Sequence, residues 1–151
     1  MIVTFCGHAQ YIATKEDKQR LLTKLEEVIG DAPAEFYLGG YGAFDAFAYT
    51  CAKSYQKNHP ETKLVYVTPY MTIEYQKNHL EPQKDHYDSI YYPELEKVPL
   101  KFSILERNKR MVEKADFVIA YIDHTWGGAY KTYKHAKRKK KPLFNLSGKD
   151  I

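Results

Sequence analysis

No apolar run in these 151 residues approaches the roughly 20 that a membrane-spanning helix needs. Cysteine is scarce. Cys6 and Cys51 are the only two, and neither has a CxxC partner, which argues against a disulfide-stapled scaffold and against thiolate zinc. There is no HxxxH and no close group of carboxylates along the chain, so neither a metal nor another cofactor is expected. The first residues, Met1 to Cys6, carry no basic n-region and read as a strand, not a signal peptide. The expectation is a cytoplasmic protein with reduced thiols and no membrane partner. What remains is an ordinary globular mixture, with 44% apolar and 28% charged residues. The net charge of +4 is unevenly spread. Lys131, Lys134, Lys137, Arg138, Lys139, Lys140 and Lys141 crowd one segment, which is either a solvated helix face or a surface for nucleic acid.

The eight glycines include one device used twice, an apolar run followed by a glycine pair. Phe36-Tyr37-Leu38 leads to Gly39-Gly40-Tyr41-Gly42. Phe117 to Ile122 leads, after a short gap, to Gly127-Gly128-Ala129. Each predicts a strand, a tight turn and a helix start. Glycine admits sharp turns and close backbone approach, and a helix N-terminus presents free N–H groups that suit phosphate.

Elsewhere the same alternation recurs. Leu21, Leu22, Leu25, Val28 and Ile29 predict a helix over 15–29, ended by Gly30 and Pro33. Phe44, Phe47, Ala48, Cys51, Ala52 and Tyr55 predict a second. Strands are expected at 1–6, 35–38, 63–67, 117–122 and 143–145, with a short one at 89–91. Further helices are expected at 100–114 and 130–140. Residues 70–99 are irregular and proline-punctuated, as in a lid or binding loop. This alternation predicts an α/β fold. It should be a three-layer, Rossmann-like, doubly wound and mostly parallel sheet with helices on both faces, and residues 1–151 should form one domain. In such sheets ligands bind at the carboxyl ends of the strands. Five points should therefore converge: Gly7-His8, the first glycine turn, Pro69-Tyr70, Asp123-His124 and the second glycine turn.

Asp45, at the start of a helix, and Asp123, at a strand end, are candidates to accept hydrogen bonds from ribose hydroxyls, or else a helix-start charge and a turn former. Arg107 is a candidate phosphate clamp through two parallel hydrogen bonds, with Asn108 and Arg110 weaker beside it. Tyr41 and Trp126 are the aromatics best placed to stack on a base; Tyr70 and Tyr92 lie at similar points. His8 and His124 can hydrogen-bond phosphate or move protons near neutral pH.

Four segments resemble the SLOG superfamily of Rossmann-like domains. They are Phe5-Cys6-Gly7-His8, Gly39 to Asp45, Arg107-Asn108-Lys109-Arg110-Met111, and Ala115 to Ala120 leading to Gly127-Gly128-Ala129. Their order is similar to the stand-alone, YpsA-like branch; other branches are the LOG-type nucleotide hydrolases and DprA. The resemblance implies a nucleotide-type ligand, an oligomer, and a role as sensor or sponge in bacterial or phage nucleotide signalling, an ADP-ribose derivative being one such ligand. It also implies a limit. The LOG-type motif that begins with the glycine pair ends in a catalytic Glu, and that position here is Lys134. Glycosidic cleavage needs a carboxylate, so LOG-type hydrolysis is not expected. Two alternatives stand beside ligand binding. One is a hydrolase using Asp45, Asp123 or a histidine, and the other is single-strand nucleic-acid binding through Lys131 to Lys141.

Overall fold

A computed structural model describes residues 1–151. Six strands form one sheet in the order β4-β3-β2-β1-β5-β6. They are β1 (Ile2–Gly7), β2 (Glu35–Leu38), β3 (Lys63–Val67), β4 (Ser89–Tyr91), β5 (Phe117–Tyr121) and β6 (Leu143–Asn145). Every neighbouring pair is parallel, so the mostly parallel sheet expected is parallel throughout.

The helices are α1 (Lys15–Ile29), α2 (Ala43–Asn58), the short α3 (Ile73–Tyr75), α4 (Ser103–Lys114) and α5 (Gly128–Arg138). Local chemistry sets the bounds of α1. The Thr14 side chain accepts from the Asp17 N–H at 3.1 Å, and Gly30, at φ 59°, ends the helix.

The layers follow from strand alternation. Val3, Phe5, Phe36, Leu38 and Ile119 face α1 and α2, where they meet Leu21, Leu25, Phe44 and Phe47. The intervening Cys6, Val118 and Ala120 face the other side, against Val112 of α4 and Tyr133 and Ala136 of α5. Full burial of a side chain such as Phe44 or Leu25 contributes about 1.5–3 kcal/mol. No helix is long and apolar enough to cross a membrane.

Two expectations need correction. Residues 70–99 are not wholly irregular, because α3 runs on into a π-turn at Gln76–Leu80 and a 3-10 turn at Glu81–Asp85. Only Leu80 of these three segments is buried, so no apolar stripe marked them. The last helix starts at Gly128, not Tyr130, because the glycine pair itself makes the first turn.

Strand order reverses between β1 and β5. Connections from β1 to β4 step outward on one side, and the chain then returns to lay β5 against the other edge of β1. The helices after β1 and β5 lie on opposite faces, which leaves a crevice at the carboxyl ends of these two strands.

Gly7, at the end of β1, floors that crevice. A Cβ there would lie 2.3 Å from the ring of the fully buried Phe44. Gly7→Ala is expected to lower the unfolding free energy by about 1–3 kcal/mol through overpacking, read as a fall in the urea midpoint. Gly30→Ala, where nothing lies within 4 Å, should show only the cost of its positive φ.

Candidate functional site

The crevice opens into a cleft of about 440 Å³, within the usual range for small-molecule sites. Gly7 and His8 reach it from β1, Tyr41 and Asp45 from the β2–α2 turn, and Arg107 from α4. His124, Trp126, Gly127, Gly128 and Ala129 reach it from the β5–α5 turn. Gly39, Gly40, Gly42 and Asp123 adjoin lining residues without lining the cleft themselves. Pro69 and Tyr70 lie outside it. They follow β3, two strands from β1 and about 10 Å away at the usual strand spacing, and Tyr70 packs on Tyr75 instead. Residues 70–99 contribute no lining residue, so the lid expected of them is not at this cleft. The five points expected to converge are thus four.

The two glycine turns do different work. In the first, a Cβ on Gly40 would lie 2.6 Å from the Tyr66 ring and one on Gly42 2.7 Å from the Ala9 backbone. Three amides around the start of α2 are also taken. Ala43 N–H donates to Ala9 O, Phe44 N–H to His8 O, and Tyr41 N–H to the Asp45 carboxylate. This turn is glycine-rich because the β1–α1 loop packs onto it, and the N–H groups it leaves without a partner are those of Gly40, Gly42 and Asp45. The second turn is open. A Cβ on Gly127 or Gly128 would meet nothing within 4 Å. No side chain caps α5. Its first backbone hydrogen bond is from Lys131 N–H to Gly127 O, so the amides of Gly128, Ala129 and Tyr130 have no partner within the protein. They give this end of the cleft a partial positive charge.

Arg107 is 1% exposed. Its Nη1 donates to Gly39 O at 3.0 Å and to Val67 O at 2.7 Å, and its Nε donates to Asn108 Oδ1 at 2.9 Å. Only Nη2 is left to face the cleft, so the expected two-bond phosphate clamp is not available. The guanidinium instead ties the ends of β2 and β3 to α4. Asp45, opposite, is pushed up to about 6 by burial, against the pull of the Tyr41 N–H and the Arg107 charge. Ile104, Arg107, Asn108 and Met111 form one face of α4 and all line the cleft. Their i, i+3, i+4, i+7 spacing is the signal that marks Ile104, which the motifs pass over.

At the other wall three rings are stacked. His8 lies 3.6 Å from His124 and 12° from parallel; His124 lies 3.7 Å from Trp126. Trp126 is 67% exposed, so its outer face is free to receive another ring. Tyr41 is exposed across the cleft. Ligating atoms of His8, Asp123 and His124 come within 4.8 Å of one another, a grouping from two strand ends that no local motif announces. Stacked imidazoles keep their lone pairs in near-parallel planes 3.6 Å apart, and His8 Nε2 already accepts from the Asp123 N–H at 3.1 Å. The set as arranged does not converge on one ion.

The basic segment is only partly free. Lys141 donates to Glu113 O and Ala115 O, and Lys137 to Ile151 O. Lys134 lies over the Tyr130 ring and does not line the cleft.

No family model matches the sequence, and no curated protein matches it. Solved structures share the fold. DNA processing protein A from Helicobacter pylori, described for its single-stranded DNA binding mode, aligns with a TM-score of 0.59 and 23% identity over 96% of this chain and 64% of its own. DNA processing protein A from Streptococcus pneumoniae aligns with a TM-score of 0.62 and 16% identity over 95% of this chain and 49% of its own. The structural-genomics target TM1055 aligns with a TM-score of 0.57 and 12% identity over 94% of this chain and 71% of its own. The chain therefore spans 64% and 49% of the two processing proteins, and what it shares with all three is the architecture.

Two outcomes follow from the wall at Arg107. Arg107→Met leaves the carbonyls of Gly39 and Val67 unpaired; at about 1.5–3 kcal/mol for each bond to a charged donor, unfolding by urea should show a loss of about 3 kcal/mol or more. Arg107→Lys should not restore it, because one ammonium cannot reproduce the fork. Asp45 holds its proton more tightly when folded than its ordinary 3.8. Its contribution to stability is therefore greatest in acid and falls as pH rises from 3.8 to about 6. Asp45→Asn should remove that part of the pH dependence of the urea midpoint.

Proposed function

We propose that this protein binds a nucleotide or nucleotide-derived ligand in the cleft between β1 and β5, as a stand-alone member of the SLOG superfamily, YpsA-like branch. The observation that carries this reading is the open α5 terminus. Three unpartnered amides sit beside Gly127 and Gly128, where nothing blocks approach, and Trp126 offers a free stacking face two residues earlier. An anionic group takes the amides, the base stacks on Trp126, and Asp45 or Asp123 accepts hydrogen bonds from ribose hydroxyls. Tyr41 closes the opposite side. Gly7 lines the floor of the cleft, and Gly39, Gly40 and Gly42 give close-approach backbone along one wall. Arg107 positions that wall, with Nη2 alone left for contact.

The cleft is equipped for holding more than for cutting. Lys134 stands where a LOG-type hydrolase has its acid, and it points away over Tyr130. In this reading the protein is a sensor or sponge for a ligand such as an ADP-ribose derivative, acts in the cytoplasm, needs no cofactor, and works as an oligomer. A second reading is single-strand nucleic-acid binding. It is favoured by the likeness to the Helicobacter pylori protein and by exposed aromatics at the cleft mouth.

Calorimetry with a panel of nucleoside phosphates and ADP-ribose tests the first reading, and chromatography of the same mixtures detects turnover. Binding of at least one member without turnover is expected. Trp126→Ala should weaken it tenfold or more, from about 1–3 kcal/mol of base stacking. Gly128→Ala should leave stability unchanged or slightly raised, since its φ is ordinary and its surroundings open, while weakening binding by crowding the amides. No heat with any member, in protein shown to be folded, sinks this reading. A steeply salt-dependent mobility shift with single strands would then favour the second.

A further inference from the structure

Ordinary packing does not explain the wall formed by His8, His124 and Asp123. His8 is 6% exposed. Its Nε2 accepts from the Asp123 N–H at 3.1 Å, and the Asp123 Oδ1 lies 3.2 Å from the same nitrogen. These contacts ask opposite things of one atom. An unprotonated Nε2 receives the amide but sets its lone pair against a carboxylate. A protonated Nε2 satisfies the carboxylate and releases the amide. The same Oδ1 lies 3.8 Å from His124 Nε2, and the buried His124 Nδ1 has no hydrogen-bond partner.

The charges around this pair come from every neighbouring element. Asp123 and Tyr121 belong to β5 and its end. Lys149 Nζ reaches the Asp123 carbonyl at 3.1 Å. The Cys6 thiol on β1 is held neutral, pushed up to about 12 by burial. Asp45 and Arg107 face the cleft from α2 and α4. Burial first, then the neighbouring His124, hold His8 below the ordinary histidine range, with Asp123 working the other way. His8 is thus held neutral beside the open amides of α5 until further negative charge enters the cleft.

We propose that the His8–His124 pair takes up one proton when an anionic group of the ligand docks on the α5 amides, so that binding at this cleft strengthens as pH falls. This rests on the ligand-binding reading above. The count is one because two imidazolium rings stacked at 3.6 Å repel each other. The proton bridges His8 Nε2 and Asp123 Oδ1, and the charge it adds faces the anion.

ADP-ribose is the probe, because its pyrophosphate has no ionisation between pH 6 and 8, whereas a phosphate monoester has its second at about 6. Calorimetry at pH 6.5 in buffers of different ionisation enthalpy should show uptake approaching one proton. Affinity should fall by up to about tenfold per pH unit as pH rises. Trp126 is the only tryptophan and stacks on His124, so its fluorescence reports the pair directly. The midpoint of its pH titration should move upward when ADP-ribose is added. His8→Gln should bind with an affinity that no longer depends on pH; a purely packing role would weaken binding equally at every pH. Binding with a buffer-independent enthalpy and a flat affinity from pH 6 to 8 overturns this inference and leaves the binding reading standing. No binding of ADP-ribose at any pH overturns the inference, and the wider nucleotide panel then decides the binding reading separately.

Discussion

The pairing of β1 with β5 is the constraint on which the rest of the structure depends. β1 is at the centre of the sheet, and its two neighbours come from distant parts of the chain. Because β2 continues outward on one side and β5 returns on the other, the helices that follow β1 and β5 lie on opposite faces. The carboxyl ends of these two strands therefore open into a space no helix fills. Gly7 and His8 stand at one lip and Asp123 and His124 at the other. The cleft, its stacked rings and its open helix terminus all follow from that reversal.

A second level of order comes from a buried cation. Arg107 sits among backbone carbonyls, not against a surface partner, and a guanidinium is costly to bury unless its N–H groups are satisfied. By donating to Gly39 and Val67 it holds the β2 and β3 ends in register with α4 and fixes the wall that carries Asp45. A side chain that motif and charge assign to the ligand is thus largely committed to the scaffold. The α5 terminus is the reverse case, a backbone feature free of internal partners.

The two glycine turns show where the sequence was legible and where it was not. Both read as strand, turn and helix, and both are. Their difference is invisible locally, since each is a glycine pair after an apolar run. Gly40 and Gly42 are required because Tyr66 and Ala9, far away in sequence, press on them. Gly127 and Gly128 have nothing pressing on them. The same limit explains residues 73–85, whose turns bury too little apolar surface to leave a periodic trace, and the ring stack, whose members come from two strand ends.

The amino-acid sequence alone determined the alternation of strands and helices, and so the layered parallel fold, because burial periodicity and glycine or proline punctuation act over a few residues. It also placed most of the chemistry-bearing side chains at strand carboxyl ends. Only the tertiary structure decided which of those ends meet. Strand order left Pro69 and Tyr70 two strands from β1, outside the cleft lining, and brought His8 against His124. It gave Arg107 to the backbone and left the α5 amides open, because each depends on contacts between residues that the chain keeps far apart.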